Sequence, residues 1–176
     1  MKYLIVYATT EGQTRKIAHF IEKCITELGH TATIADASDN PPPPNEYDAV
    51  LIGASIHMHK YQTAVVHYVK RNIAVLNKLP SAFFSVCLAV ASDLEEEHKE
   101  AEKITAEFLE QAGWKPLMAT QIAGALKYLE YDFFKRLVMK MIAKKEGRPT
   151  DTSQDYEYTN WDEVKKFVNA FTAKAA

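Results

Sequence analysis

Thr9, Thr10, Gly12 and Thr14 fall within six residues of one another, directly behind the apolar run Lys2–Ala8 and ahead of a helix-periodic stretch. That grouping suits an anion. Gly12 lets the backbone come close, while the three hydroxyls and the amides at a helix start, which have no intrahelical partner, can donate to a terminal phosphate. Neither G-x-G-x-x-G nor G-x-x-x-x-G-K-[ST] occurs, which argues against pyrophosphate or triphosphate cradles of those kinds. The bland alternative is an ordinary β–α turn with a threonine cap. Glu11 is the awkward member of the loop. A carboxylate about 4 Å from a phosphate would cost about 4 kcal/mol at an effective dielectric of 20, so it must turn toward Arg15, Lys16 or solvent.

Other reactive residue types are sparse. His57 and His59 flank Met58 at metal-like spacing, but no Cys, Asp or further His clusters with them, so no metal centre is expected. Tyr61 suits either a cover for a ligand ring or an anchor for the next helix. Cys24 shares a helical stripe with Ile17, Phe20, Ile21, Ile25 and Leu28, and Cys87 lies in an apolar run, so both read as core thiols in a reduced, cytoplasmic setting. Trp114, after a helix stop, and Trp161, near a helix start, read as structural.

The elements that must hold these residues alternate between strand and helix. Strands are expected near Lys2–Ala8, Ala32–Asp36, Ala49–Ala54, Ala82–Leu88 and Leu117–Ala125. Helices are expected over Gln13–Leu28, ending at Gly29, and over Thr63–Leu76. A third, acidic helix ends before Gly113, with Ser92 and Glu95 as its capping box and Leu94, Ala101, Ile104, Phe108 and Leu109 turned inward. The last starts near Trp161. Pro41–Pro44 forbids a helix after the second strand and leaves an extended loop. The pattern predicts a single α/β domain over residues 1–176, with a doubly wound, five-stranded parallel sheet of order 2-1-3-4-5. In such sheets ligands bind beyond the carboxyl ends of the strands at the switch point, which selects the loops Thr9–Thr14, Ala54–Tyr61 and Val86–Ser92. A receiver domain of the same architecture needs clustered acids where this chain has Ala8-Thr9 and Ala54-Ser55.

With 176 residues and 47% hydrophobic content, the chain can build one full-sized core. A formal charge of −2 gives no nucleic-acid footprint. The N-terminal apolar run is too short for a signal peptide, and no stretch approaches a membrane span, so any membrane contact is expected to be peripheral, on the inner face of the cell membrane. Charge is nonetheless polarised. Asp93–Glu110 holds eight acids against two lysines, and Lys127–Arg148 seven bases against three acids.

Several segments together are more specific than the fold: Gly12-Gln13-Thr14-Arg15, Ile52-Gly53-Ala54-Ser55-Ile56, Pro80-Ser81-Ala82-Phe83-Phe84-Ser85-Val86 and Ile122-Ala123-Gly124-Ala125-Leu126-Lys127-Tyr128. Thr150-Asp151-Thr152 and Tyr158-Thr159-Asn160-Trp161 add to them. In this order, from Lys2 to about Phe171, the chain resembles the FMN-containing, menaquinone-dependent protoporphyrinogen oxidases, flavodoxin-fold enzymes of haem biosynthesis. The resemblance implies FMN as cofactor, protoporphyrinogen IX as electron donor and menaquinone or a related quinone as acceptor. It assigns the phosphate to Thr9, Thr10, Glu11, Gly12, Gln13 and Thr14. The flavin ring falls to Ala54, Ser55, Ile56 and His57 on one side and to Ser85, Val86, Cys87, Leu88 and Ala89 on the other. No residue stands out as a required acid or base. The loop after strand four lacks the glycines, aspartate and stacking tyrosine of flavodoxin electron carriers, and the weak net charge implies a more easily reduced flavin than in those acidic proteins.

A helical insert over about 127–150, after or within the last strand, is the least carrier-like feature. Leu129, Phe133, Phe134, Leu137, Val138, Met141 and Ile142 recur at helical spacing among Lys135, Arg136, Lys140, Lys144 and Lys145. Three readings stay open: packing on the domain or in a homodimer, docking on an anionic membrane or quinone, and binding of substrate propionates by Lys127, Lys135 or Arg136.

Overall fold

The computed structural model describes all residues except 129–132 and 146, and for residues 133–138 the backbone alone. Five strands form one parallel sheet: β1 (Lys2–Ala8), β2 (Thr31–Asp36), β3 (Ala49–Ser55), β4 (Ser81–Cys87) and β5 (Met118–Ala123). Their order is β2-β1-β3-β4-β5, the predicted doubly wound arrangement. Helices α1 (Gln13–Glu27), α2 (Thr63–Leu76), α3 (Glu95–Ala112) and α5 (Trp161–Ala175) pack against it. The central strands β1, β3 and β4 are buried almost throughout, which is why they read as continuous apolar runs instead of alternating ones.

Two cores lie on opposite faces of the sheet because successive strand side chains point to opposite sides. One joins Ile5, Leu51 and Phe84 to Ile17, Ile21, Val168 and Phe171 of α1 and α5. The other joins Leu4, Ile52 and Phe83 to Val65, Val69, Phe108 and Trp114 under α2 and α3. Cys24 is core, as its stripe implies, whereas Leu28 at the helix end is exposed. Trp114 donates its indole N–H to Ser81 Oγ at 3.0 Å, and Trp161 donates to Glu157 at 2.9 Å.

Four expectations are corrected. Ser92 does not cap α3; the helix begins at Glu95 behind Leu94, and Ser92 Oγ accepts from the Leu94 amide at 3.2 Å. Leu94 itself is exposed. The proline run ends in a short 3-10 turn, Pro44–Glu46. The last strand stops at Ala123, because the Gly124 amide still reaches Cys87 O at 3.0 Å but the chain then leaves the sheet. Ala125–Leu126 becomes β6 and pairs antiparallel with β7 (Tyr156–Glu157), which closes the base of the insert. Between them runs α4 (Phe133–Lys145).

Tyr61 is a core anchor. It is buried against Phe83 and Phe108, with its hydroxyl donating to Ser85 Oγ at 2.8 Å and lying 2.7 Å from Thr105 Oγ1. Burial pushes its phenol up to about 12, against the pull of the Ser85 and Thr105 hydrogen bonds. A raised folded-state value means the contribution is complete below pH 10 and is lost as the unfolded chain ionises first. Stability should therefore fall by up to about 2–3 kcal/mol between pH 10 and 12. Denaturant titrations across that window should show this component missing in Tyr61→Phe.

Candidate functional site

The carboxyl ends of β1, β3 and β4 open onto a cleft of about 520 Å³. Its polar end is the loop after β1. Gly12 caps α1 in a left-handed conformation, φ 84°, and among the described residues no side chain caps the first-turn amides. Thr9 Oγ1 accepts from the Gly12 amide at 2.9 Å, which shapes the loop and leaves the Thr9 hydroxyl proton free to donate outward. Thr14 is fully buried and its Oγ1 has no hydrogen-bond partner. A buried, unsatisfied hydroxyl costs about 1–3 kcal/mol, a debt that an acceptor in the cleft would remove. The structure therefore fits a bound anion at the place the sequence selects.

One residue within the loop and one beyond it hold its shape. Gln13 donates through Nε2 to Thr159 Oγ1 at 2.8 Å and to Glu157 at 3.2 Å, tying α1 to the strand that closes the insert. Its Oε1 is buried without a partner. Lys16 pairs with Glu157, so of the two bases expected to draw Glu11 aside, Lys16 is already engaged. Glu11, half-buried, lines the cleft. Burial raises Glu157, but hydrogen bonds from Lys16, Gln13 and Trp161 together outweigh it and hold the carboxyl below its ordinary range. Gln62, outside the motif, is the second. Its side chain accepts from the Ser55 amide at 3.2 Å and donates to Thr10 Oγ1 at 3.0 Å and Ser55 Oγ at 2.6 Å, clamping the first loop to the third strand's end. A glutamine at a helix start carries no sequence signature for such a bridge.

The rest of the cleft is apolar. Ser55, Ile56, His57 and Met58 form one wall, and Val86, Cys87 and Leu88 the other. Ala54 turns its side chain into the core, leaving only its backbone near the cleft. Ser85 also faces the core, under the Tyr61 hydroxyl, and Ala89 lines a neighbouring chamber. Burial pushes the Cys87 thiol up, against the Val90 and Ala89 amides and Arg148, so it is not a thiolate at neutral pH. The His57–Lys60 hairpin places Met58 (φ 48°) and His59 (φ 61°) in left-handed backbone, which non-glycine residues adopt at about 1–2 kcal/mol each. The strained turn sits on the rim.

Met139 and Ile142 bring α4 over the cleft. Met139 and Ala143 pack on Leu126, Tyr128 and Leu88, whereas Met141 of the expected stripe is 67% exposed. The side chains of Leu129, Phe133, Phe134, Lys135, Arg136, Leu137 and Val138 lie outside the described residues. Lys127 pairs with Asp155 at 3.5 Å, and Lys140 is exposed. No helix among the described residues is long and apolar enough to cross a membrane.

The flavodoxin domain family matches residues 4–153. Protoporphyrinogen IX dehydrogenase (quinone) of Escherichia coli strain K12 is 39% identical over 96% of this chain and 93% of its own length. The Leishmania major protein of the same name is 36% identical over 98% of this chain and 75% of its own. Among solved structures, oxidised flavodoxin 1 of Bacillus cereus superposes with a TM-score of 0.60 at 16% identity, covering 98% of each chain. That likeness concerns the fold alone.

Proposed function

The chain belongs to the flavodoxin domain family and, within it, to the protoporphyrinogen IX dehydrogenases (quinone), and from that premise we propose that it binds FMN, oxidises protoporphyrinogen IX and passes the electrons to menaquinone or a related quinone in haem biosynthesis. The observation that carries the cofactor assignment is the buried Thr14 hydroxyl without a partner beside the uncapped start of α1. Thr9, Thr14 and the first-turn amides supply donors for a monophosphate, with Thr10 and Gly12 shaping the approach. Gln13 Oε1 is an acceptor and suits a ribityl hydroxyl better than a phosphate. The apolar walls of Ile56, Val86 and Leu88, with Met139 above, suit a flat aromatic ring and exclude water from it.

FMN bound there supplies the two-electron chemistry; the protein contributes placement and electrostatics. Purified protein loaded with FMN and given protoporphyrinogen IX with a menaquinone analogue should develop porphyrin fluorescence, and no fluorescence above the no-enzyme rate would reject this reading. Potentiometric titration should give a higher flavin potential than in acidic carrier flavodoxins.

The exposed basic residues and Met141 of α4 support peripheral contact with an anionic membrane, where the quinone resides. Each basic residue near such a surface contributes about 1 kcal/mol. Replacing Lys135, Arg136, Lys140 and Lys144 with Gln should leave FMN affinity unchanged while weakening liposome association at least tenfold, an effect that high salt mimics. Full liposome binding by that variant would assign the helix to self-packing.

A further inference from the structure

A second chamber of about 340 Å³ adjoins the cofactor cleft. The two share the walls Ile56, Met58, Cys87, Leu88, Met139 and Ile142, so they lie side by side. Its apolar walls carry Arg148 and Glu97 on one side and Glu100 and His59 nearby. Arg148, its side chain only 7% exposed, donates to Leu88 O at 2.8 Å and lies 3.5 Å from Glu97 Oε2. The guanidinium thus bridges the turn after β4 to α3 and turns Glu97 inward, away from the wet face where the charge run of α3 placed it. Glu100 stands at the same wall, with His59 Nδ1 3.5 Å away.

Resting on the function proposed above, we propose that this chamber receives one edge of the porphyrinogen ring and that the Glu97 carboxylate, positioned by Arg148, accepts a pyrrole proton released as hydride leaves the ring. The match is one of donors and acceptors. A porphyrinogen presents N–H donors on an apolar ring, and the chamber presents carboxylate acceptors among apolar walls, with Nη2 of Arg148 engaged by Leu88 and Glu97. At about 340 Å³ the space is at the small end of ligand pockets, so the macrocycle enters by an edge while the rest stays over the cofactor cleft. Going from porphyrinogen to porphyrin removes four meso C–H and two pyrrole N–H hydrogens, as three hydrides and three protons; in a step that takes a pyrrole proton one meso C–H and one pyrrole N–H bond break, and the remaining proton comes from a meso carbon. With FMN bound, the flavin would supply the hydride acceptor and Glu97 would take the proton, while the N–H electron pair stays on nitrogen and neutralises the cation left on the ring. Glu100 and His59, both half or more exposed or nearly so, line the way from Glu97 to solvent.

Glu97→Gln keeps the size and an acceptor oxygen but cannot take a proton. In FMN-loaded protein, titration with protoporphyrin IX should show porphyrin affinity within about threefold of the parent. Anaerobic mixing with protoporphyrinogen IX should show flavin bleaching slowed at least 100-fold, the usual scale for a lost general base. Glu97→Asp should recover part of that rate. Bleaching by Glu97→Gln at the parent rate overturns the inference. So does a loss of porphyrin affinity that accounts for the whole rate change, since Glu97 would then only hold the ring. Failure of the parent protein to bleach at all would instead sink the function reading, and this one with it.

Discussion

Flavin affinity should fall by roughly 10²–10³-fold when Gly12→Val and Thr14→Ala are combined, the fold remaining intact. Valine at φ 84° forces a branched side chain into left-handed backbone, at about 1–2 kcal/mol or more. Thr14→Ala removes a buried hydroxyl that the protein leaves without a partner, so the loss is felt by the bound anion and scarcely by the free protein. Hydrogen bonds to a charged group contribute about 1.5–3 kcal/mol, and the two terms together give the stated range. Fluorescence-quenching titration with FMN measures it. The single Thr14→Ala variant supplies an internal check, because it should raise or leave unchanged the thermal stability of the cofactor-free protein while weakening FMN. Affinity within threefold of the parent in the double variant would show that the anion lies elsewhere.

Gly53→Ala should be the most damaging of the glycine-to-alanine changes in this chain outside the cleft. Gly53 stands opposite Phe84 in the parallel register of β3 and β4, and a Cβ built on it would lie 2.0 Å from Cε2 and Cζ of that ring. Phe84 is fully buried in the core beneath α1 and α5, so neither the ring nor the strand can give way cheaply. Overpacking of this kind costs about 3 kcal/mol, and a domain of this size loses about 2–4 °C in Tm per kcal/mol. A fall of roughly 6–12 °C is therefore expected in a thermal melt. Pairing Gly53→Ala with Phe84→Leu should return part of it, since the two residues are in contact and their effects are not additive. An unchanged Tm for Gly53→Ala would mean that the sheet relaxes far more readily than its packing implies.

Glycine and strand periodicity are local properties, and they made much of the molecule legible before any fold was available. Strand order, the helix over Thr63–Leu76, the stops at Gly29 and Gly113, and the loop around Gly12 depend on hydrophobic period and on φ requirements carried by a few residues. The hydroxyls of Thr9 and Thr14 were identifiable for the same reason, because they follow a strand and start a helix within one short segment. What the sequence could not determine are the pairings that span the chain. Gln13 with Thr159 and Lys16 with Glu157 are more than 140 residues apart, and Arg148 with Glu97 51 apart. Nothing in the local pattern distinguishes Glu97 from its wet neighbours Glu95 and Glu96. Only the buried guanidinium brought over by the chain after α4 turns it toward a cavity. The break of the last strand at Gly124 belongs to the same class, since it follows from Ala125–Leu126 finding a partner in Tyr156–Glu157. Local stereochemistry placed the phosphate loop and the sheet. The second chamber, its ion pair and the helix over the cleft exist because distant segments meet, and their free energy is realised only when the tertiary structure has formed.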